Sequence, residues 1–228
     1  MIAVKVKLIA LVAAMAVLAA FVSPSSAAIS EEMVHRAWYE VAKIAEMEPL
    51  PLTIENKDVP NAWVTNGKSV TVTKGLMNLL QREEEIFGVL SHEAGHAKLN
   101  HYQSAVTSSV GIGIAGLLLG KVVGGGLLGD IAVNVGSNLA GAGFSREKEV
   151  EADDFAVDIA FKGGHDPTGI YTALERLAYY GNGKLEPSGF NSHPPDDRRL
   201  LHIRNRIHAK DPSIVIPKVQ KPKKKASK

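Results

Sequence analysis

Two histidines and a glutamate in residues 91–97 have the spacing of a metal-binding helix. His92 and His96 are four residues apart, so on an α-helix both imidazoles lie on one face and can ligate a single ion. Glu93 is rotated by about 100° from His92, and its carboxylate can reach a water molecule beside that ion. This H-E-x-x-H pattern is typical of zinc hydrolases, in which zinc acidifies water and the glutamate removes its proton.

The residues around this pattern favour a buried helix over two solvated histidines on a surface helix, which is the alternative interpretation. Residues 83–85 are all glutamate, and negative charge in the first turn suits a helix N-terminus. Ile86, Val89 and Leu90 then form an apolar stripe at helical spacing. The sequence therefore predicts an amphipathic helix that carries the metal ligands.

A catalytic zinc ion needs one more protein ligand and an open position, and residues 145–154 offer several carboxylates. Ser145 is a good N-cap for a helix here. Four acids share one strip of that helix, which we expect to face water: Glu147, Glu151, Asp154 and Asp158. Glu149 instead shares a strip with small residues and with Asp153. We expect Glu149 to be the third ligand and Asp153 to orient a ligand imidazole; a solvated acidic helix is the alternative.

The N-terminus has the pattern of an export signal. Lys5 and Lys7 precede an apolar run over residues 8–22, and small residues follow up to Ala28. The run is shorter than the about 20 residues that a membrane span needs. We expect a signal peptide over residues 1–28, with an uncleaved N-terminal anchor as the alternative. The protein is therefore expected to be exported to the periplasm, where it could also associate with the membrane.

The chain has no cysteine, which excludes disulfides, cysteine nucleophiles, thiolate zinc ligands and a lipid anchor on cysteine. Its net charge is only +2, yet six lysines crowd the last eleven positions. We expect residues 213–228 to be a disordered, solvated tail; binding of the tail to anionic lipid or another polyanion is the alternative. Nothing in the sequence indicates nucleic-acid binding.

The remaining patterns predict an α+β fold that is predominantly helical. A helix over residues 33–47 is followed by short strands, with Asn66-Gly67 as a hairpin turn, so a small antiparallel sheet should lie beside the metal helix. Residues 110–129 are apolar but contain eight glycines. Glycine at this density disfavours a lone helix, and we expect an apolar hairpin over residues 104–143 within one domain of residues 29–212.

The histidine motif and the acidic motif together resemble a known group of enzymes. HEAGH followed by SREKEVEAD is similar to the gluzincin zinc metallopeptidases of the HtpX, Oma and CaaX-prenyl-protease superfamily, and most of all to its small periplasmic members. The resemblance implies a zincin-like domain and one zinc ion per chain. It implies His92, His96 and Glu149 as ligands and Glu93 as the general base.

A third element, Ser192-His193-Pro194-Pro195 with Arg199 after it, also resembles that superfamily. His193 is the candidate to contact the developing oxyanion, with Tyr179 or Tyr180 as rivals and a structural histidine as the alternative. In relatives the equivalent histidine is implicated in gating by binding zinc in place of water. Arg199 is expected to pin this loop, or else to be solvated. His101, near the end of the metal helix, is interpreted as a structural histidine.

The substrate is expected to bind as an extended peptide. We expect an exposed strand edge over residues 69–73 to pair with it through the backbone of Val70, Thr71 and Val72, with Asn61 nearby. This predicts an endopeptidase for unfolded or misfolded cell-envelope proteins. The alternatives are a latched, chaperone-like protein that binds clients or membranes, with little protease activity, and a structural zinc site without chemistry.

Overall fold

The computed structural model describes residues 28–103, 144–180, 193 and 196–220. In chain order their elements are α1 (Glu31–Ile44), β1 (Leu52–Glu55), β2 (Ala62–Thr65), β3 (Ser69–Thr73), α2 (Lys74–Leu79), α3 (Glu83–Lys98), α4 (Arg146–Gly163), α5 (Thr168–Tyr180) and α6 (Asp197–Lys210). The predicted signal peptide, except its last residue, and the predicted apolar hairpin lie outside the described residues. The predicted α+β, mainly helical architecture is confirmed.

Helix starts are set by side-chain caps close to where the sequence places them. Ser30 Oγ accepts a hydrogen bond from the Met33 N–H at the start of α1, and Ser145 Oγ accepts one from the Lys148 N–H at the start of α4. At the start of α3 the buried carboxylate of Glu85 accepts from the Gln81 N–H at 2.7 Å. These caps fix where the metal helix and the acidic helix begin.

The three strands form one sheet in the order β1–β3–β2. β2 and β3 are the predicted hairpin, and Asn66 and Gly67 at its turn both have positive φ, as the tight turn requires. β1 pairs in parallel with β3 on the other side. The sheet is therefore mixed and not wholly antiparallel, because the chain crosses over between β1 and β2 to place β3 in the centre.

Glycines let the helices approach the metal helix closely. A Cβ on Gly88 of α3 would lie 2.4 Å from the Ile170 backbone nitrogen of α5. A Cβ on Gly95 would lie 3.1 Å from the Phe155 Cβ of α4, which is closer than most such contacts in proteins. α3 thus runs through the middle of the molecule with α4 and α5 against it, and α6 packs on α4 and α5.

Two apolar clusters hold these layers together. The larger one joins α1, the sheet and α3 around residues such as Trp38 and Phe87. The smaller one joins α4, α5 and α6, and Ile214 and Ile216 pack against it from the extended chain after α6. Packing thus continues into the segment predicted as a tail from residue 213; residues 221–228 lie outside the described part. Within the described part, no helix combines the length and apolarity that a bilayer crossing requires.

Candidate metal centre

Four buried side chains from three separate segments meet at one point. His92 and His96 come from α3, Glu149 comes from the first turn of α4, and His193 comes from the segment before α6. Each residue is at most 2% exposed. One donor atom of each lies within 4.8 Å of the donors of the others, so the group could hold a single ion. The structure thus brings together all three predicted ligands and adds a histidine.

The distances between the donor atoms fit zinc. His92 Nε2 lies 3.0 Å from His96 Nε2 and 3.2 Å from His193 Nδ1. Glu149 Oε1 lies 2.9 Å from His193 Nδ1 and 3.5 Å from His96 Nε2. Zinc held tetrahedrally at about 2.0–2.1 Å would separate two donors by about 3.3–3.4 Å. Three imidazole nitrogens and one carboxylate at these separations are a donor set that zinc accepts.

Asp153 lies against His92, where the sequence places it, and Arg199 contacts both Asp153 and the His193 segment that it was expected to pin. Asp153 Oδ1 lies 2.9 Å from His92 Nδ1, on the side of the ring opposite the cluster. A proton on His92 Nδ1 leaves the Nε2 lone pair directed at the metal position. Arg199 in turn donates to both oxygens of Asp153 and to the His193 carbonyl oxygen, and its Nη1 lies 2.8 Å from Glu149 Oε2.

Arg199 is therefore a buried guanidinium that connects α4, α6 and the His193 segment. It is 2% exposed, which rules out the alternative of a solvated arginine. Its positive charge offsets the two buried carboxylates of Asp153 and Glu149. Burial raises the pKa of both acids, but the nearby cations outweigh burial and keep both pKa values below their usual range.

The electrostatics of the metal-free cluster favour positive charge on one imidazole. Burial lowers the pKa of His92, but hydrogen bonds to Asp153 and Glu149 outweigh burial and raise the pKa to about 9. His96 responds in the opposite way, since burial and the neighbouring imidazoles hold its pKa well below the usual value. At neutral pH the His92 ring of the metal-free site is thus protonated, and it has to lose this proton before it can ligate a metal.

Glu93 lies beside this cluster and does not belong to the group of converging donors. It is fully buried, and neither carboxylate oxygen makes a hydrogen bond of normal geometry among the described residues. Burial raises the pKa of Glu93, and the neighbouring histidines and the nearby Val64 backbone N–H reduce this rise only in part. Its Oε1 lies 3.4 Å from His193 Nε2. A buried carboxylate with a raised pKa next to a metal site is suited to accept a proton from water.

His193 takes the fourth corner of the donor group, a position that the expected oxyanion contact does not require. Its Nδ1 lies among the donor atoms, whereas its Nε2 faces Glu93. The rival tyrosines lie elsewhere: Tyr179 Oη donates to Glu175, and Tyr179 and Tyr180 line a cavity of about 200 Å³ near the end of α5. A fully protein-ligated zinc would leave no position for water while His193 stays in place.

The prediction that β3 offers an exposed edge to the substrate is wrong. Val70, Thr71 and Val72 lie in the central strand, with β1 on one side and β2 on the other, and all three are buried. Their backbone groups are used within the sheet, so they cannot pair with a peptide. Asn61, the other predicted substrate residue, lies just before β2, and its side-chain oxygen is buried without a partner among the described residues.

The contacts around His96 were not predicted from the sequence. His101, interpreted as structural, is fully buried, and its Nδ1 lies 2.9 Å from His96 Nδ1. Its Nε2 lies 3.0 Å from the Glu151 carboxylate of α4. Phe144 stacks on the His96 ring with centroids 4.1 Å apart. The spacing of His101, five residues after His96 and past the helix end, gives no helical signal that it contacts a ligand.

Comparison with known proteins agrees with this geometry. The family model described as peptidase family M48 matches residues 28–207. The metalloprotease YcaL of Escherichia coli (strain K12) is 38% identical over 153 residues, which cover 64% of this chain and 58% of that protein. The metalloprotease LoiP of the same strain is 32% identical over 157 residues, covering 67% of this chain and 60% of LoiP.

A more distant relative is the beta-barrel assembly-enhancing protease of Escherichia coli (strain K12), at 25% identity over 178 residues. The match covers 73% of this chain and 36% of that protein. The chain thus spans about three fifths of the two E. coli metalloproteases and about a third of this longer protein.

Proposed function

The chain belongs to peptidase family M48, as its motifs predicted, and we propose that it is a zinc-dependent endopeptidase that acts on unfolded or misfolded cell-envelope proteins. M48 enzymes are zinc metallopeptidases, which agrees with the predicted zinc cofactor and enzyme class. In this proposal His92, His96 and Glu149 are the permanent ligands of one zinc ion, and Glu93 is the general base.

The observation that carries the proposal is the position of Glu93. A structural zinc site has no use for a buried carboxylate that lies beside the donor group without joining it and without hydrogen bonds of normal geometry. Such a group raises the energy of the fold, because burying an incompletely paired carboxylate is unfavourable. Hydrolysis supplies the reason for keeping it, since a base is needed next to the attacking water.

When bound, zinc supplies a Lewis acid that polarises the scissile carbonyl and increases the acidity of water. Glu93 accepts the proton of the attacking water, and the raised pKa of Glu93 makes this carboxylate a stronger base than an exposed one. Glu93 then passes the proton to the leaving amine nitrogen. Asp153 keeps His92 in the tautomer that directs Nε2 inward throughout.

The peptide substrate binds, in this proposal, at the edge of β2 that no strand of the described residues covers. β2 is an edge strand of the sheet and packs against α3. The Thr73 N–H donates to the Asn61 carbonyl oxygen, and strict alternation then directs the amides of Ala62 and Val64 away from β3. The Val64 N–H lies close enough to the Glu93 carboxylate to lower its pKa, which supports a peptide site beside the proposed base.

Pairing through backbone groups predicts low sequence specificity and a preference for chains without stable structure. This preference, the predicted export signal and the similarity to a beta-barrel assembly-enhancing protease support protein quality control in the periplasm. Contact with the membrane surface through the lysine-rich end or the apolar residues 104–143 stays a prediction.

A second candidate function is favoured by the position of His193. With its Nδ1 among the donor atoms, the site matches a latched state that binds clients without cleaving them. In the proposed enzyme His193 withdraws when substrate binds and water takes its place. In the alternative His193 stays, and the protein protects clients from aggregation.

Cleavage and protection of unfolded casein by the wild type and Glu93→Gln separate the two functions. We expect the wild type to cleave, and Glu93→Gln to retain zinc but lose about 10²–10⁴-fold in rate. Glu83→Gln, an exposed glutamate at the start of α3, is the matched control and should leave the rate unchanged. Equal client protection without cleavage in both wild type and Glu93→Gln supports the binding protein.

A further inference from the structure

The second zinc ligand of the proposed site has a support of its own, made by His101 and Glu151. His101 lies just past the end of α3 and is completely buried. Its two ring nitrogens face different partners: Nδ1 is 2.9 Å from His96 Nδ1, and Nε2 is 3.0 Å from Glu151 Oε2. The same Glu151 oxygen accepts from Lys148 Nζ at 2.9 Å, and the Glu151 side chain reaches the surface.

The donors and acceptors of each group determine where the protons lie in the row formed by His96, His101 and Glu151. An ionised carboxylate only accepts hydrogen bonds, so His101 must carry its proton on Nε2 and donate it to Glu151. A neutral His101 then has a lone pair on Nδ1, which can only accept. The bond between the two Nδ1 atoms therefore requires that His96 donates from Nδ1. That leaves the lone pair of His96 Nε2 directed at His92, His193 and Glu149.

The arrangement parallels the one that supports His92, in which the Asp153 carboxylate faces Nδ1 directly. At His96 a second imidazole lies between the ligand and the carboxylate. Phe144 adds to it, because its ring stacks on His96 at an interplanar angle of 17° and restricts rotation of that ring. His101 does not join the converging donors of the described residues, since its Nδ1 faces the side of His96 opposite the metal position.

We propose that His101 and Glu151 are positioning residues of the metal centre, which hold His96 in the tautomer and orientation that ligate zinc. The inference rests on the proposed zinc site and deepens it. It assigns a role to a histidine outside the H-E-x-x-H pattern and to a half-exposed acid of α4. Partners that orient ligand imidazoles in this way contribute about 10–100-fold to metal affinity.

The first test observes the tautomers directly in the zinc-loaded full-length chain. Long-range ¹H–¹⁵N correlation spectra of protein labelled with ¹⁵N-histidine distinguish protonated from unprotonated ring nitrogens. We expect His101 to be neutral with its proton on Nε2, and His96 to carry its proton on Nδ1. A proton on His101 Nδ1 would overturn the proposal, because His101 would then be a donor toward His96.

The second test measures zinc affinity by competition with a chromophoric chelator. His101→Leu removes the acceptor, and we expect its zinc affinity to fall about 10–100-fold. His101→Asn keeps an acceptor oxygen close to the Nδ1 position and should recover much of the loss. Glu151→Gln changes only the outer end of the row and should give a smaller but measurable fall without affecting the fold.

Asp158→Asn is the matched control for Glu151→Gln, because Asp158 lies on the same helix and is similarly exposed. In the described contacts Asp158 pairs only with the surface cations Arg206 and Lys210. Its zinc affinity should equal that of the wild type. Equal affinity in the wild type, His101→Leu and Glu151→Gln would overturn the proposal. Neither test measures peptide cleavage, so an inactive wild type would contradict the proposed function and leave this inference standing.

Discussion

Arg199 and Asp153 form a two-pronged ion pair inside the protein, with Nε donating to Oδ2 at 2.8 Å and Nη2 donating to Oδ1 at 2.7 Å. Both side chains are almost completely excluded from solvent. The pair joins α6 to α4 and at the same time holds the carboxylate that orients His92. It therefore connects the stability of the fold with the shape of the metal site.

Removal of this arginine should destabilise the protein strongly. Arg199→Met leaves Asp153 and Glu149 buried without their cation, and the loss of one member of a buried pair costs about 3–5 kcal/mol. Urea unfolding of the metal-free protein measures the change. Arg206→Met is the control, because Arg206 pairs with Asp158 at the surface of the same two helices and should cost less than about 1 kcal/mol. Equal losses in the two variants would contradict the assignment.

Zinc binding should become tighter as pH rises. The raised pKa of His92, about 9, means that its proton is bound in the metal-free fold at neutral pH and must leave when zinc binds. Apparent zinc affinity should therefore increase about tenfold per pH unit from about pH 7 and level off above the pKa of His92. Chelator competition at several pH values measures the slope. A flat profile in this range would show that His92 is already neutral.

The raised pKa of His92 also makes the metal-free protein less stable as pH rises, whereas zinc binding becomes tighter. The folded-state pKa of His92 lies above the unfolded value of 6.5, so protonation stabilises the fold. This contribution is complete below pH 6.5 and is lost as pH rises through about 9. Unfolding of the zinc-free chain as a function of pH, with zinc-loaded protein as the control, measures this loss.

His193→Ala should separate a latch from a catalytic contact. If His193 fills the position that water needs, its removal should weaken zinc binding while it raises the rate of casein cleavage at saturating zinc. We expect this result, because His193 Nδ1 lies 2.9 Å from Glu149 Oε1 and within the donor group. A fall in the maximal rate with unchanged zinc affinity would instead assign His193 to oxyanion stabilisation.

Val64→Pro should impair peptide binding without disrupting the sheet. Proline removes the N–H of Val64, which faces away from β3, and proline is tolerated on edge strands. We expect the kcat/KM for peptide substrates to fall about tenfold or more, whereas the zinc content should not change. Ile54→Pro on β1, the opposite edge of the sheet, is the control. Equal kinetic effects of the two prolines would remove β2 from the substrate site.

Helical periodicity explains why much of the site could be predicted from the sequence. The four-residue spacing places His92 and His96 on one face whatever surrounds them. The same rule separates Glu149 and Asp153, both buried, from the acidic strip at the surface, of which Glu151 remains half exposed. Ser30, Ser145 and the Asn66-Gly67 turn likewise act within a few residues. Each of these predictions depends on interactions close in the chain.

Strand order and the outer parts of the site depended on contacts between distant segments. β1 reaches β3 by parallel pairing, and no local pattern distinguishes that pairing from a wholly antiparallel sheet. The sequence thus determined the metal helix, the inward position of Glu149 and the family, because short-range geometry and local motifs carry them. Only the tertiary structure decided that β2 is an edge strand among the described residues, that His193 enters the donor group and that His101 contacts His96, because packing brings together residues whose separation in the chain carries no periodic signal.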